Sequence, residues 1–290
     1  MEKACVILER KWWKYFVFGL AFAWAGFFVA VGQMPSSEAA IWFLNVGQGD
    51  ATLIRSPEGH NVLIDGGPGT VVMEELSEVL PFFARQIDLM VLTHPHADHI
   101  EGLVEVLKRY KVGSLLLTGV SYNNVYYEEF LKNVRDLSEA GELDLYFAEA
   151  STDFVVGSLY LDVLYPLENL AGRKFSNINN SSIVVRVEGV GGGEFGGRSF
   201  MLTGDCEVEC EEEVLAAGED VDSDILKAGH HGSKTASSHE FVEAVSPSVG
   251  VISCGETNKF GHPHSESLRT FYRLGVDEIF RTDLDGRIEF

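Results

Sequence analysis

Residues 93–99 read Thr93-His94-Pro95-His96-Ala97-Asp98-His99 and follow an apolar run, Ile87–Leu92, broken only by Asp88. A short apolar run of this kind reads as a strand buried on both faces. Three imidazoles and a carboxylate then fall within six residues, 94–99, and these are ligand types that zinc, manganese and iron accept. In an extended loop His94 and His96 project to one side and can share one ion. Asp98 and His99 turn into the following helix and can reach a second. A lone histidine at a strand end is ordinarily a satisfied polar group, whereas four ligand-type residues at this spacing point to a metal site.

Upstream, Ile41–Val46, Ala51–Arg55 and Asn61–Ile64 are short β-rich runs split by turn residues, the pattern of an antiparallel meander. Val72–Arg85 reads as a helix. Beyond the histidine cluster the pattern predicts a helix to about Tyr110, strand Ser114–Leu117, helix Glu128–Ala140 and a strand near Leu143–Phe147. The second half predicts strands Leu159–Tyr165, Ser182–Glu188 and Ser199–Thr203, with a glycine-laden turn, Gly189–Gly197, between the last two. Helix Glu207–Ala217, strand Asp224–Ala228, a helix from His239, strand Val249–Ser253, helix Ser265–Leu274 and strand Glu278–Arg281 complete the order. Two sheets packed face to face with helices outside satisfy it.

The His-x-His-x-Asp-His run resembles the signature of the metallo-β-lactamase superfamily. That resemblance implies an α/β fold, a four-layer αββα sandwich, over residues 41–290. Asp65, in LIDGG, is similar to the family's strand-end aspartate, which supports the loop carrying the ligands. Asp205, in MLTGD, is similar to the carboxylate that bridges two metals. The segments FLNVGQGDATLI, LTHPHADHIEGL, NNSSIVVRV, LKAGHHGSKT, FGHPHSESL and RTDLDGRIEF extend the likeness to the extracellular nuclease-like domain of ComEC-type competence proteins.

One departure stands out. Most members of the superfamily place a histidine before the bridging aspartate, where this chain has Asn177-Ile178-Asn179-Asn180. The resemblance implies that another histidine completes the first metal, with His230 and His231 as candidates and the spacing silent between them. His262 and His264 are likewise candidates for the second. The ligand set expected is His94, His96, Asp98, His99, Asp205, His230 and His262, holding two divalent ions, zinc or manganese. Asp98, His231, Lys234 and His264 are the candidate catalytic groups. Lys234 and Ser233, in the Gly232–Thr235 loop, suit a phosphoryl oxygen. Asp65, Asn180, Gln48 and Asp50 are candidates for supporting the ligands or touching substrate; for the Gln48-Gly49-Asp50 turn, plain turn chemistry is an equal reading.

Composition limits the partner. The chain has 22 basic and 44 acidic residues, a formal charge of −22; four and two of these lie in residues 1–34, leaving 18 against 42 in the rest. A body this acidic lacks the cationic footprint of a duplex-DNA binder. The four cysteines, Cys5, Cys206, Cys210 and Cys254, read as buried or idle thiols, too few for a disulfide framework.

Tyr15–Val31 is apolar throughout and follows Arg10, Lys11 and Lys14. It reads as a membrane anchor over residues 1–34, with a linker at 35–40. A cleaved signal peptide is the competing reading. Either places the body outside the cytoplasm, attached to the cell membrane by a single span or secreted. The expected activity is two-metal hydrolysis of a phosphodiester, with single-stranded DNA as a candidate substrate. The alternatives are a hydrolase of small or cell-envelope phosphodiesters, or a binding module without catalysis on the same fold.

Overall fold

The computed structural model describes residues 12–24, 26–27, 38–190 and 193–290. The chain divides into two units, Met1–Ser36 and Ser37–Phe290. In the first, residues 12–24 form helix α1. Parts of the apolar run Tyr15–Val31 and of the expected linker, residues 25 and 28–37, lie outside the described residues. Among those described, no helix is long and apolar enough to cross a membrane.

The second unit holds two seven-stranded mixed sheets. The first uses β1 (Ala40–Phe43), β2 (Thr52–Arg55), β3 (Asn61–Ile64), β4 (Gln86–Leu92), β5 (Lys111–Leu117) and β6 (Asp144–Phe147), with β14 (Ile288–Glu289) beside β1. The first three form the expected antiparallel meander, and β3 to β6 run parallel. The second sheet runs from β7 (Phe154–Val156) through β8 (Leu159–Tyr165), β9 (Val184–Gly189), β10 (Phe200–Leu202), β11 (Ile225–Lys227) and β12 (Val249–Ile252) to β13 (Glu278–Arg281).

Period-two alternation sorts the side chains between layers. Ile41, Phe43, Val62, Ile64, Leu89 and Val91 face Leu161, Val163, Val185, Phe200, Ile225 and Val251 in the core between the sheets. The intervening Trp42, Leu44, Leu63, Met90 and Leu92 pack outward against α2 (Val71–Val79), α3 (Ala97–Arg109) and α4 (Val125–Glu139). Met201, Leu226 and Ile252 meet α5 (Val208–Ala217), α6 (His239–Val245) and α7 (Ser265–Arg273) on the other side. Two buried faces per sheet explain why the central strands read as largely apolar runs.

The structure differs from the sequence pattern in a few places. Helix α2 stops at Val79 and does not reach Arg85, because Pro81 forces Leu80 into an extended conformation (φ −91°, ψ 142°). Strands β7 and β14 and the one-turn helix α8 (Thr282–Asp285) are too short to leave a periodic signal. The cysteine reading needs correction: Cys206 and Cys210 form a disulfide, and Cys254 is free and buried. Cys210 lies in the first turn of α5 and Cys206 just before it, with Cα atoms 5.5 Å apart, within bridging range.

Candidate metal centre

Every candidate ligand sits on a loop or a helix start that follows the C-terminal end of a strand. His94 and His96 follow β4, and Asp98 and His99 open α3. Asp205 follows β10, His230 and His231 follow β11, and His262 lies in the loop after β12. Close backbone approaches set their positions. A Cβ on Gly102 of α3 would collide with the carbonyl of Gly66, and one on Gly49 with the carbonyl of Asp98. The Gly66 amide donates to His99 O at 2.7 Å, and the Asp50 amide donates to Asp98 O at 3.2 Å. The turn at 47–50 is therefore pressed against the ligand loop.

Four sets of possible ligands occur among the described residues: two are built on Asp50, which pairs with Lys227, and the other two form the candidate metal groups. His94, His96 and Asp205 converge in one, and Asp98, His99 and His231 in the other. The Asp205 carboxylate spans both. Its Oδ2 lies 3.8 Å from Nε2 of His94 and 3.8 Å from Nε2 of His230, while its Oδ1 lies 3.3 Å from Nε2 of His99 and 3.6 Å from Nε2 of His231. Nε2 of His94 faces Nδ1 of His96 at 3.1 Å, close to the roughly 3.3 Å expected of two nitrogens on a tetrahedral ion with ~2.0–2.1 Å bonds. Asp98 Oδ2 lies 3.5 Å from Nε2 of His231.

The donors fit divalent ions on a second count. His99 Nε2, His231 Nε2 and Asp205 Oδ1 are buried without a hydrogen-bond partner. Orphaned polar atoms of this kind carry a penalty that a ligand relieves. Three of them aimed at common points are what a metal centre requires.

Neighbouring side chains orient the ligands. Asp65, held at φ 58° in the left-handed region, accepts from Thr93 N at 2.9 Å and Thr93 Oγ1 at 2.7 Å, and its Oδ2 lies 2.8 Å from His99 Nδ1. That contact puts the His99 proton on Nδ1 and turns Nε2 toward Asp205. Glu207 does the same for His230, with Oε1 2.9 Å from Nδ1, and is itself fixed by the amides of Asn177 and Asn179, each at 2.9 Å. The Ser182 hydroxyl oxygen accepts from Asp205 N at 3.1 Å and lies 3.2 Å from His94 Nδ1. Asp50 lies 3.2 Å from His231 Nδ1 and pairs with Lys227 at 2.5 Å, with acid and amine each only 3% exposed.

The electrostatics follow from burial and this charge arrangement. Burial, helped by the neighbouring His99, holds His94 well below the ordinary imidazole range. Burial acts in the same direction on His99 and His231. For His99 the carboxylates of Asp205 and Asp65 outweigh it and hold the ring well above that range. For His231, Asp205 and Asp50 push the value up to about 10. Asp205 is driven the opposite way to what burial favours, well below the usual carboxylate range, by His231 and His99.

The remaining expected residues distribute as follows. Both members of the His230–His231 pair face Asp205, one on each oxygen, each in the left-handed region at φ 46° and 56°. His231 joins a ligand group, whereas His230, His262 and His264 join none. His262 has its Nδ1 3.5 Å from the Gln48 amide, and burial with the nearby His231 and His230 holds it down to about 4. His264 accepts from Lys234 N through Nδ1 at 3.1 Å. Gln48 also accepts from Gly255 N at 3.1 Å, so its turn is part of the site's scaffold.

Asn180 points away, accepting from Glu207 N and donating to Glu209 at 3.0 Å each; it is Asn179 whose amide approaches His230, at 3.5 Å. Ser233 is buried against Thr235 at 2.9 Å, whereas Lys234 is exposed. Lys227 is spent on Asp50 and adds no free positive charge beside the centre. Sequence reasoning missed Glu207, Asn179, Ser182 and the Lys227 pairing. Ser182 and Asn179 lie within or beside the NNSS motif, which was the available signal.

Residues 44–162 match the metallo-beta-lactamase superfamily. The chain is 31% identical over 272 residues to ComE operon protein 3 of Bacillus subtilis, covering 88% of this chain and 33% of that protein. It is 31% identical over 261 residues to competence protein ComA of Neisseria gonorrhoeae, covering 89% and 33%. It thus spans about a third of the length of these relatives. Among solved structures, the metallo-beta-lactamase fold protein YhfI of Bacillus subtilis superposes with a TM-score of 0.54 at 11% identity, covering 87% of this chain and 100% of that one. The sandwich, the order of its motifs and these relatives agree: the chain has the metallo-β-lactamase fold, its residues 44–162 match that superfamily, and it is similar over most of its length to part of bacterial competence proteins.

Proposed function

We propose that this chain is a two-metal phosphodiesterase acting on nucleic acid strands outside the cytoplasm. The observation that carries the reading is the Asp205 carboxylate, with one oxygen turned to each ligand group. Divalent ions held there would supply Lewis acidity, lowering the pKa of water and neutralising charge on a phosphoryl group.

The chain's own residues do the positioning. Asp65 and Glu207 fix the rings of His99 and His230, and the Asp205 loop is held by Ser182. Lys234, exposed beside the centre, offers its ammonium to a phosphoryl oxygen. His264 accepts from the Lys234 amide through Nδ1, so the neutral ring carries its proton on Nε2 and offers that N–H as a hydrogen-bond donor to a phosphoryl or leaving oxygen.

The competence relatives favour a nucleic acid substrate. An extracytoplasmic body agrees with the basic flank of the apolar N-terminal run and with the Cys206–Cys210 disulfide, a bond that persists in oxidising compartments. The net charge of −22 favours a second reading, hydrolysis of small or envelope phosphodiesters. The test is a screen of the purified chain, with zinc and with manganese, against plasmid, single-stranded DNA and a chromogenic phosphodiester. Hydrolysis of the chromogenic diester alone selects the second reading, and no hydrolysis of any of them removes both.

A further inference from the structure

The loop between β12 and α7 holds an aromatic ring that the fold does not use. Phe260 is 51% exposed and belongs to none of the apolar clusters among the described residues. Tyr122, the other aromatic residue at the centre, lies 5.6 Å from the His96 ring but also packs against the helical core. Phe260 has no such second role. Its ring lies nearly parallel to that of His262, with centroids 5.6 Å apart and planes 23° from each other. The His262 ring lies in turn 5.4 Å from that of His230 and 6.1 Å from that of His231, so Phe260 sits at the edge of the metal centre.

The loop is built to hold that ring still. The Asn258 side chain accepts from Phe260 N at 3.2 Å and His262 N at 2.9 Å, and donates to Gly255 O at 2.8 Å and His262 O at 2.7 Å. Gly255 is tied in turn to Gln48, and Gly255 packs so closely on the Gln48 backbone that a Cβ would collide with it. An exposed phenylalanine on a braced loop is a surface prepared for a flat partner.

Charge then says how a nucleic acid strand would be held. Lys259, exposed, keeps its ammonium 5.1 Å from the Phe260 ring centre, and Lys234 is also exposed. Exposed Glu256 lies in the same loop, and Glu266 is close enough to Lys234 to feel its charge. The rim is close to balanced and the chain as a whole is acidic, so phosphate neutralisation by lysines cannot carry the affinity. Stacking of a base on an aromatic face is indifferent to net charge and to base identity.

Resting on the phosphodiesterase reading, we propose that Phe260 is a stacking subsite for an unpaired nucleobase next to the scissile phosphodiester, with Lys259 beside the attached phosphate. A base inside a duplex is already stacked, so this subsite selects single strands, frayed ends and flaps.

The test is equilibrium binding, by fluorescence anisotropy, to the zinc-loaded full chain. The probes are short oligothymidine and oligouridine with nuclease-resistant phosphorothioate linkages, and a strand of the same backbone without bases. The wild type should bind the base-bearing strands more tightly than the abasic one. Phe260→Ala and Phe260→Leu should weaken that binding about tenfold or more, leave the abasic strand unaffected, and be rescued by Phe260→Trp. Preference between oligothymidine and oligouridine identifies the strand, and either supports the subsite. Equal binding of base-bearing and abasic strands by the wild type, or equal loss of both in Phe260→Ala, overturns it. Because no cleavage is read, absence of phosphodiester hydrolysis with these binding results intact sinks the hydrolase reading alone.

Discussion

Asp50 and Lys227 illustrate how single side chains hold this centre together. Both are buried, and the aspartate also faces His231. Breaking a buried pair from one side strands a charge, at a cost of about 3–5 kcal/mol, whereas replacing both partners is often near neutral. Asp50→Ala should therefore lower stability by that amount in denaturant unfolding of the metal-stripped protein. Adding Lys227→Met should recover most of it; no recovery would mean the pair is not the source. Glu207→Gln, which weakens the hold on His230 Nδ1, should reduce metal affinity by about 10–100-fold with the fold intact, read by competition with a chromogenic chelator. Lys234→Ala should slow phosphodiester turnover with metal content unchanged.

Four of the candidate ligands stood out in the sequence because they fall within six residues, 94–99, whereas His230 and His262, also expected as ligands, join no ligand group. The supporting residues did not stand out. Asp50 and Lys227 meet only because β11 brings its end beside the 47–50 turn, and Glu207 carries no local mark beyond its nearness to Asp205. Nor does spacing assign one member of each histidine pair, since that depends on backbone torsion. The left-handed conformations of His230 and His231 send both rings to Asp205.

At the level of elements, the strand ends do the positioning and close packing gives precision. Gly102 lets α3 lie against Gly66, which fixes where Asp98 and His99 emerge. Gly102→Ala should push the helix back, lowering metal content and turnover together while circular dichroism stays native; an unchanged metal content would show that the loop absorbs the shift. The strand order was readable wherever both faces are buried, as in β10 and β12, since the runs there carry no charged or polar side chain. Elements of two to four residues, β7, β14 and α8, were not, and neither was the early end of α2, where Pro81 overrides the helical pattern. The Cys206–Cys210 bridge was missed because four scattered cysteines show no framework pattern, and it is the local turn into α5 that brings the two together.

For the molecule as a whole, acidity and site chemistry pull in different directions, and binding should reflect both. A protein that neutralises many phosphates loses about 10³–10⁵ in affinity between 50 and 200 mM salt. With a formal charge of −22, this chain should bind single strands with a shallow salt dependence. A steep slope on duplex DNA would reveal a basic groove that contradicts this account of charge.

A carboxylate shared between two metal ions sets the metal stoichiometry of the chain. The wild-type chain reconstituted with zinc or manganese and measured by plasma emission should hold about two ions. Asp205→Asn, which keeps the shape and removes the charge between the two groups, should lose most of that content along with phosphodiester turnover. A wild type that binds no metal at micromolar concentration, or an Asp205→Asn chain that still holds both ions and turns over substrate, would contradict the account.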